Sequence, residues 1–211
     1  MTENVSVDGL RLSGCSTELT EDIARRPLLR NLRLKNVVGK SSSLSGAVLQ
    51  NVTVENLRAD IFSGFINGCE FDQVILKGKF SPLVIQKGVS APTASPLAQK
   101  FAQALRVEPD DSSWSLDISE AIGDIALRGY APRRIRRNPT HQAVMTRAQA
   151  EAGRWRKIDL SNTTFVVQIE ELLACDWYEG VVLVANPAGA RFRSQVDGIN
   201  RLRDAGAALE D

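Results

Sequence analysis

From Pro27 to Gly78, apolar and polar residues recur with a period of five. The blocks read PLLRN, LRLKN, VVGKS, SSLSG, AVLQN and VTVEN as far as Asn56. They pause at Leu57 and Arg58 and resume as ADIFS, GFING, CEFDQ and VILKG. The third position is held by Leu29, Leu34, Gly39, Leu44, Leu49, Val54, Ile61, Ile66, Phe71 and Leu76, all large and apolar except Gly39. The first position runs Pro27, Leu32, Val37, Ser42, Ala47, Val52, Ala59, Gly64, Cys69, Val74, apolar or small throughout. The fifth holds no apolar residue, and Asn, Ser and Gly predominate there. Inward-facing positions therefore follow steps of two and three. A helix repeats every 3.6 residues and a flat strand every two, so neither fits. A chain that takes a short extended step, turns and steps again does fit, and Asn, Gly and Ser tolerate the backbone angles of such a turn. Units this small bury their apolar face only by stacking.

ADIFS, CEFDQ and AVLQN match the unit of the pentapeptide-repeat family most closely, while VVGKS and SSLSG depart from it. Over this stretch the sequence resembles that family. The resemblance implies a right-handed quadrilateral β-helix, a β-solenoid with four pentads per coil, for residues 1–80. Its structural core would be Leu34, Leu44, Leu49, Val54, Ile61, Ile66, Phe71 and Leu76. LRLSG and CSTEL, within residues 5–19, read as an earlier pass of the same pattern, separated from Pro27 by the polar insertion TEDIARR, where Thr20 is a candidate helix cap.

A linker and capping helix are expected over 81–112. Pro82, Gly88 and Pro92 mark the exit. Ser95 then precedes Pro96, and Leu97, Phe101, Ala104 and Leu105 share one helical face, suited to a lid on the last coil. Residues 113–211 predict a small α/β or α+β domain. A helix is expected from Asp117, with Ile118, Ile122, Ile125 and Ala126 as its stripe and Gly129 as its cap. A polar helix over 140–156 and a strand over 158–167 follow. Ile169, Leu172, Leu173 and Trp177 make a helix face closed by Gly180, Val181–Ala185 reads as a buried strand, and Phe192, Val196, Ile199 and Leu202 stripe a final helix ending near Gly206.

Composition adds little: 43% hydrophobic, 24% charged and a net charge of +1 describe an ordinary globular chain and select no partner. No apolar run approaches the ~18 residues of a membrane span, and MTENVSVDGL lacks the basic flank and apolar core of a signal peptide. Cys15, Cys69 and Cys175 are scattered and odd in number, which points to free thiols and a cytoplasmic setting.

His141 is the only histidine and no cysteines are paired, so metal-ligand spacing is absent and no cofactor is expected. Neither G-x-S-x-G nor a phosphate-cradling glycine loop occurs. Asp110 and Asp111 have no nuclease-type follow-up, and Glu170 and Glu171 read as the solvated face of a helix. Cys175 with His141 could form a dyad, but Cys175 follows Leu172, Leu173 and Ala174 and reads as structural. Arg128, Arg133, Arg134, Arg136 and Arg137 lie within ten residues with no acid among them. They are candidates for phosphate or acidic-surface contact, against the plainer reading of a solvated loop. The favoured function is non-catalytic macromolecule binding of inhibitor, immunity or adaptor type, with another protein as partner. The alternatives are a nucleic-acid-associated protein using that basic segment, a DNA mimic acting on a DNA enzyme, or an enzyme with a site around His141, Asp159 and Glu170. The sequence leaves the oligomeric state open.

Overall fold

A computed structural model describes residues 2–17, 19–20, 22–60, 64–88, 96–106 and 114–209. Ile61, Pro92, Ser95, Asp110 and Asp111 lie outside these. The strands are β1 (Thr2–Asp8), β2 (Arg11–Ser13), β3 (Leu28–Lys40), β4 (Leu44–Ser45), β5 (Val48–Ala59), β6 (Phe65–Asn67), β7 (Glu70–Asp72), β8 (Val74–Phe80), β9 (Leu83–Gln86), β10 (Leu116–Ile122), β11 (Ile125–Arg128), β12 (Ile135–Arg136), β13 (Gln142–Thr146) and β14 (Gly180–Val184). The helices are α1 (Pro96–Arg106), α2 (Arg147–Glu151), α3 (Phe165–Ala174) and α4 (Phe192–Asp204).

The closed quadrilateral β-helix expected for residues 1–80 is not the architecture. A square coil would give four faces of similar height. The described strands instead form one eight-stranded parallel sheet, ordered β1-β3-β5-β8-β10-β12 with β2 beside β3 and β7 beside β5. A second, four-stranded parallel sheet is ordered β11-β9-β6-β4. With the helices and the antiparallel ribbon β13–β14, this is an α/β fold. The physical reason is visible in β3 and β5. At 13 and 12 residues they run straight through pentad boundaries, so bends fall inside one continuous sheet rather than separating faces.

Five-residue spacing sets where those bends fall. Asn31, Asn36, Ser41, Asn51, Asn56 and Gln73 all have φ between 47° and 60°, and Gly46, Gly68 and Gly78 share the positive sign. Asn tolerates this left-handed region because its short amide bonds locally. Here it bonds to the next strand. Asn51 Nδ2 donates to Asn31 Oδ1 at 2.8 Å and Asn31 Nδ2 to Asn4 Oδ1 at 3.1 Å. Asn56 Nδ2 donates to Asn36 Oδ1 at 3.1 Å and Asn36 Nδ2 to Asp8 Oδ1 at 2.8 Å.

Strand register follows the insertions read in the sequence. Leu28 pairs with Val48, twenty residues on (48 − 28). Leu44 pairs with Ile66, two more (66 − 44), matching the pause at Leu57–Arg58. Thr2 pairs with Leu29, 27 residues on (29 − 2), because TEDIARR adds seven to twenty. In that insertion Asp22, not Thr20, caps the short helical turn, accepting from Ala24 N at 3.0 Å.

Leu49, Phe71 and Leu76 are buried, while Leu34, Leu44, Val54 and Ile66 are only partly so. Helix α1 forms as expected, with Phe101 and Leu105 buried. It does not close the end of the stack, however. Phe101 lies against the bend at Gly46, beside Leu19. The ribbon β13–β14 covers the far end instead. Val144, Val182 and Val184 join the core of the parallel sheets, and Ala143, Met145, Val181 and Leu183 join a second core with α3 and α4. Alternating faces of a strand make this possible.

Four expectations for the C-terminal part are corrected. The helix expected from Asp117 is β10 and β11, which extend the parallel sheets past residue 112. The open edges of β8 and β9 offered ladder bonds that the Ile118–Ile122–Ile125 spacing could not register. Residues 140–156 contain β13, a five-residue α2 and the start of a 3-10 helix at Arg154–Lys157 rather than one helix. Residues 158–167 lead into α3 rather than forming a strand. That helix stops at Cys175, and Gly180 opens β14, where a Cβ would sit 2.7 Å from Met145 O. The expected final helix is α4, with Ile199 and Leu202 fully buried.

Candidate functional site: an arginine cleft at the sheet edge

Strand β12 ends the eight-stranded sheet, so among the described residues its outer edge has no neighbouring strand. Beside it lies an open cleft of about 510 Å³ lined by Asp117, Ser119, Ile135, Arg136, Arg137 and Pro139. Parallel pairing sets Asp117 opposite Arg136. Ser119 holds the Asp117 carboxylate, donating to Oδ1 from its backbone N at 2.9 Å and from its Oγ at 2.6 Å. The Arg136 guanidinium lies over the Trp114 ring, 4.4 Å from its centroid. This cation–π contact fixes a planar donor while leaving its edge toward solvent. Burial, and then the nearby Arg203 charge, lower the Arg137 pKa from its usual value. Both causes make an added anion beside Arg137 favourable.

The fold thus divides the five arginines proposed from sequence. Arg128 is tied to Glu171 at 2.6 Å and Arg133 to Glu179 at 2.8 Å, and these pairs fasten the parallel sheets to the C-terminal part. Arg134 is buried at 9% exposure, inside the turn whose backbone bonds to Ser115. Arg136 and Arg137 alone of the five reach the cleft. Nothing in the sequence singles out Trp114, Asp117 and Ser119 as site residues. Strand pairing between β10 and β12 brings them in across 19 residues (135 − 116), a juxtaposition with no local signal.

No family model matches this chain, no curated protein matches it, and no solved structure matches it.

The alternative catalytic set is not assembled. His141 is buried, with Nδ1 3.1 Å from Thr140 Oγ1 and its ring edge-on to Phe192. Desolvation lowers its pKa from the usual 6.5. Asp159 Oδ1 is taken by Ser161, at 3.0 Å from N and 2.7 Å from Oγ, and these bonds hold its carboxyl below the usual range. Glu170 stands exposed on α3. None of the three hydrogen-bonds to another. Cys175 ends α3, and its carbonyl, with those of Leu172 and Tyr178, accepts from the Arg147 guanidinium. That is a helix C-cap. Among the described residues no cluster of three or more His, Cys, Asp or Glu could hold a metal ion, and no helix is long and apolar enough to cross a membrane.

Proposed function

We propose that this chain is a non-catalytic binding protein that holds an acidic segment of a partner protein in the Arg136–Arg137 cleft. Inhibitor, immunity and adaptor roles all use such a surface, and a cytoplasmic setting with free thiols belongs to the same reading. The observation that carries it is Arg136. Among the described residues its charge pairs with no carboxylate, and Trp114 holds its guanidinium at an open edge. A planar guanidinium presents two parallel donors to a carboxylate, a geometry that adds specificity to charge. Asp117, its Oδ1 held by Ser119, sets a negative boundary that disfavours a second acid at that wall.

Pulldown from a host lysate tests this, with Arg136→Glu/Arg137→Glu as the comparison. The expected result is one stoichiometric protein captured by the natural chain and lost by the variant, with the circular dichroism of the two unchanged. Equal capture by both would reject the cleft as the site. A nucleic-acid partner is the second reading, since the same donors fit phosphate. It predicts a gel shift whose affinity falls steeply with salt and whose salt slope drops by about one per arginine removed.

A further inference from the structure

Between the two parallel sheets lies an apolar cavity of about 350 Å³, partly open to solvent. Its walls run from Leu12 and Cys15 at the β2 level, through Leu34, Leu44 and Val54, to Leu116 on β10. Among the described residues no charged side chain lines it. Six of the inward-facing residues, Leu29, Leu34, Leu44, Val54, Leu57 and Ile66, stay only partly buried, unlike Leu49, Phe71 and Ile85 deeper in the same core. A well-packed interior leaves few spaces larger than a water. This one falls within the ~300–1,000 Å³ of small-molecule sites, which are likewise mostly apolar.

We propose that this cavity binds the hydrocarbon tail of a single-chain amphiphile, with its head group at the β2 end. Three features choose that class. The lining residues stack level upon level, about 4.8 Å apart along the sheets, giving an elongated space rather than a round one. Uncharged walls cannot hold an ionised group, whose desolvation would go uncompensated. At the β2 end the walls change to Ser16, Thr17, Ser42 and Ser43. Thr17 and Ser42 already exchange hydrogen bonds with backbone there, Thr17 Oγ1 donating to Ser45 O at 2.8 Å and Ser42 Oγ to Lys40 O at 2.9 Å. The hydroxyls of Ser16 and Ser43 complete a polar rim suited to a neutral or hydrated head.

The test is titration of the full chain with 1-decanol, followed by methyl ¹³C–¹H spectra and by displacement of a linear polyene fatty-acid fluorophore. Saturable binding is expected, with the largest shifts at Leu34, Leu44, Val54 and Ile66. Val54→Phe and Ala59→Phe should fill the space and weaken decanol at least tenfold while keeping the native far-UV spectrum. Decahydro-2-naphthol, a compact alcohol of the same ten carbons, should bind at least tenfold more weakly than decanol. Absence of saturable shifts in the natural chain overturns the proposal, and that measurement stands even if a filling variant fails to fold. Unweakened binding by a folded filling variant overturns it too. Vesicles of phosphatidylcholine, run in parallel, show whether the tail can also be taken from a lipid.

Discussion

In the parallel sheets Leu34, Leu44, Val54 and Ile66 remain partly accessible. In the C-terminal core Met145, Phe165, Ile169, Leu183 and Ile199 are sealed below 2% exposure. The two regions spend their sequence differently. The first is held by backbone ladders between parallel strands and by Asn-to-Asn bonds at successive bends, interactions set by register. The second is held by side chains from a ribbon and helices interlocking around one centre. Local register can be kept without filling the space between two sheets, whereas a helix–ribbon core collapses until nothing more fits.

The comparison predicts unequal costs for the same truncation. Leu183→Ala, fully buried, should lose about 2–5 kcal/mol by urea denaturation, since both transfer and cavity terms apply. Leu34→Ala should lose less than half as much, because part of its surface already lies open. Equal losses would erase the distinction between the two cores.

Gly129→Ala probes the joint between the regions. Its φ is +78°, and a Cβ would stand 2.6 Å from Trp177 and 2.7 Å from Tyr178. A loss of about 1–3 kcal/mol is expected from backbone strain, with the clash raising it. A melting temperature unchanged from the natural chain would show that the aromatic pair gives way freely.

His141 gives the C-terminal region a pH dependence. Its folded pKa is depressed, so the unfolded chain takes up the proton first. Stability is therefore complete above about pH 6.5 and declines as pH falls below it. His141→Gln should flatten that decline between about pH 7 and 5.5, measured as urea midpoint against pH. An identical slope in the variant would assign the dependence to other groups. Smallest of all, Arg133→Ala should cost ~0–1 kcal/mol, since both partners of its ion pair with Glu179 are more than half exposed.

Parts of this fold are legible in the sequence. Asn31, Asn36 and Asn51, five or a multiple of five apart, marked the bends because few other residues accept positive φ. TEDIARR and the Leu57–Arg58 pause foretold the register offsets. Helices α1 and α4 showed their stripes and strand β14 its apolar run. Other parts were misread. The square coil failed because continuity through a bend is a property of ladder pairing, not of spacing. Residues 116–128 fitted a helical stripe and became strands because β8 and β9 presented unpaired edges. Strand β13 was overlooked, although Thr146 and Gln149 carry a capping box that places a helix start just after it. Of the arginine run, the sequence marked all five and had no means to separate Arg136 and Arg137 from those bound to Glu171 and Glu179.

By itself the chain determined its bends, its inward-facing positions and the offsets between stacked strands, because each depends on φ preferences and polarity within a few residues. Tertiary structure alone decided which sheets those strands joined, which arginines faced solvent, and how much space stayed open between the sheets. Those outcomes depend on partners 19 to 46 residues away (135 − 116, 179 − 133), and a local pattern carries no record of them.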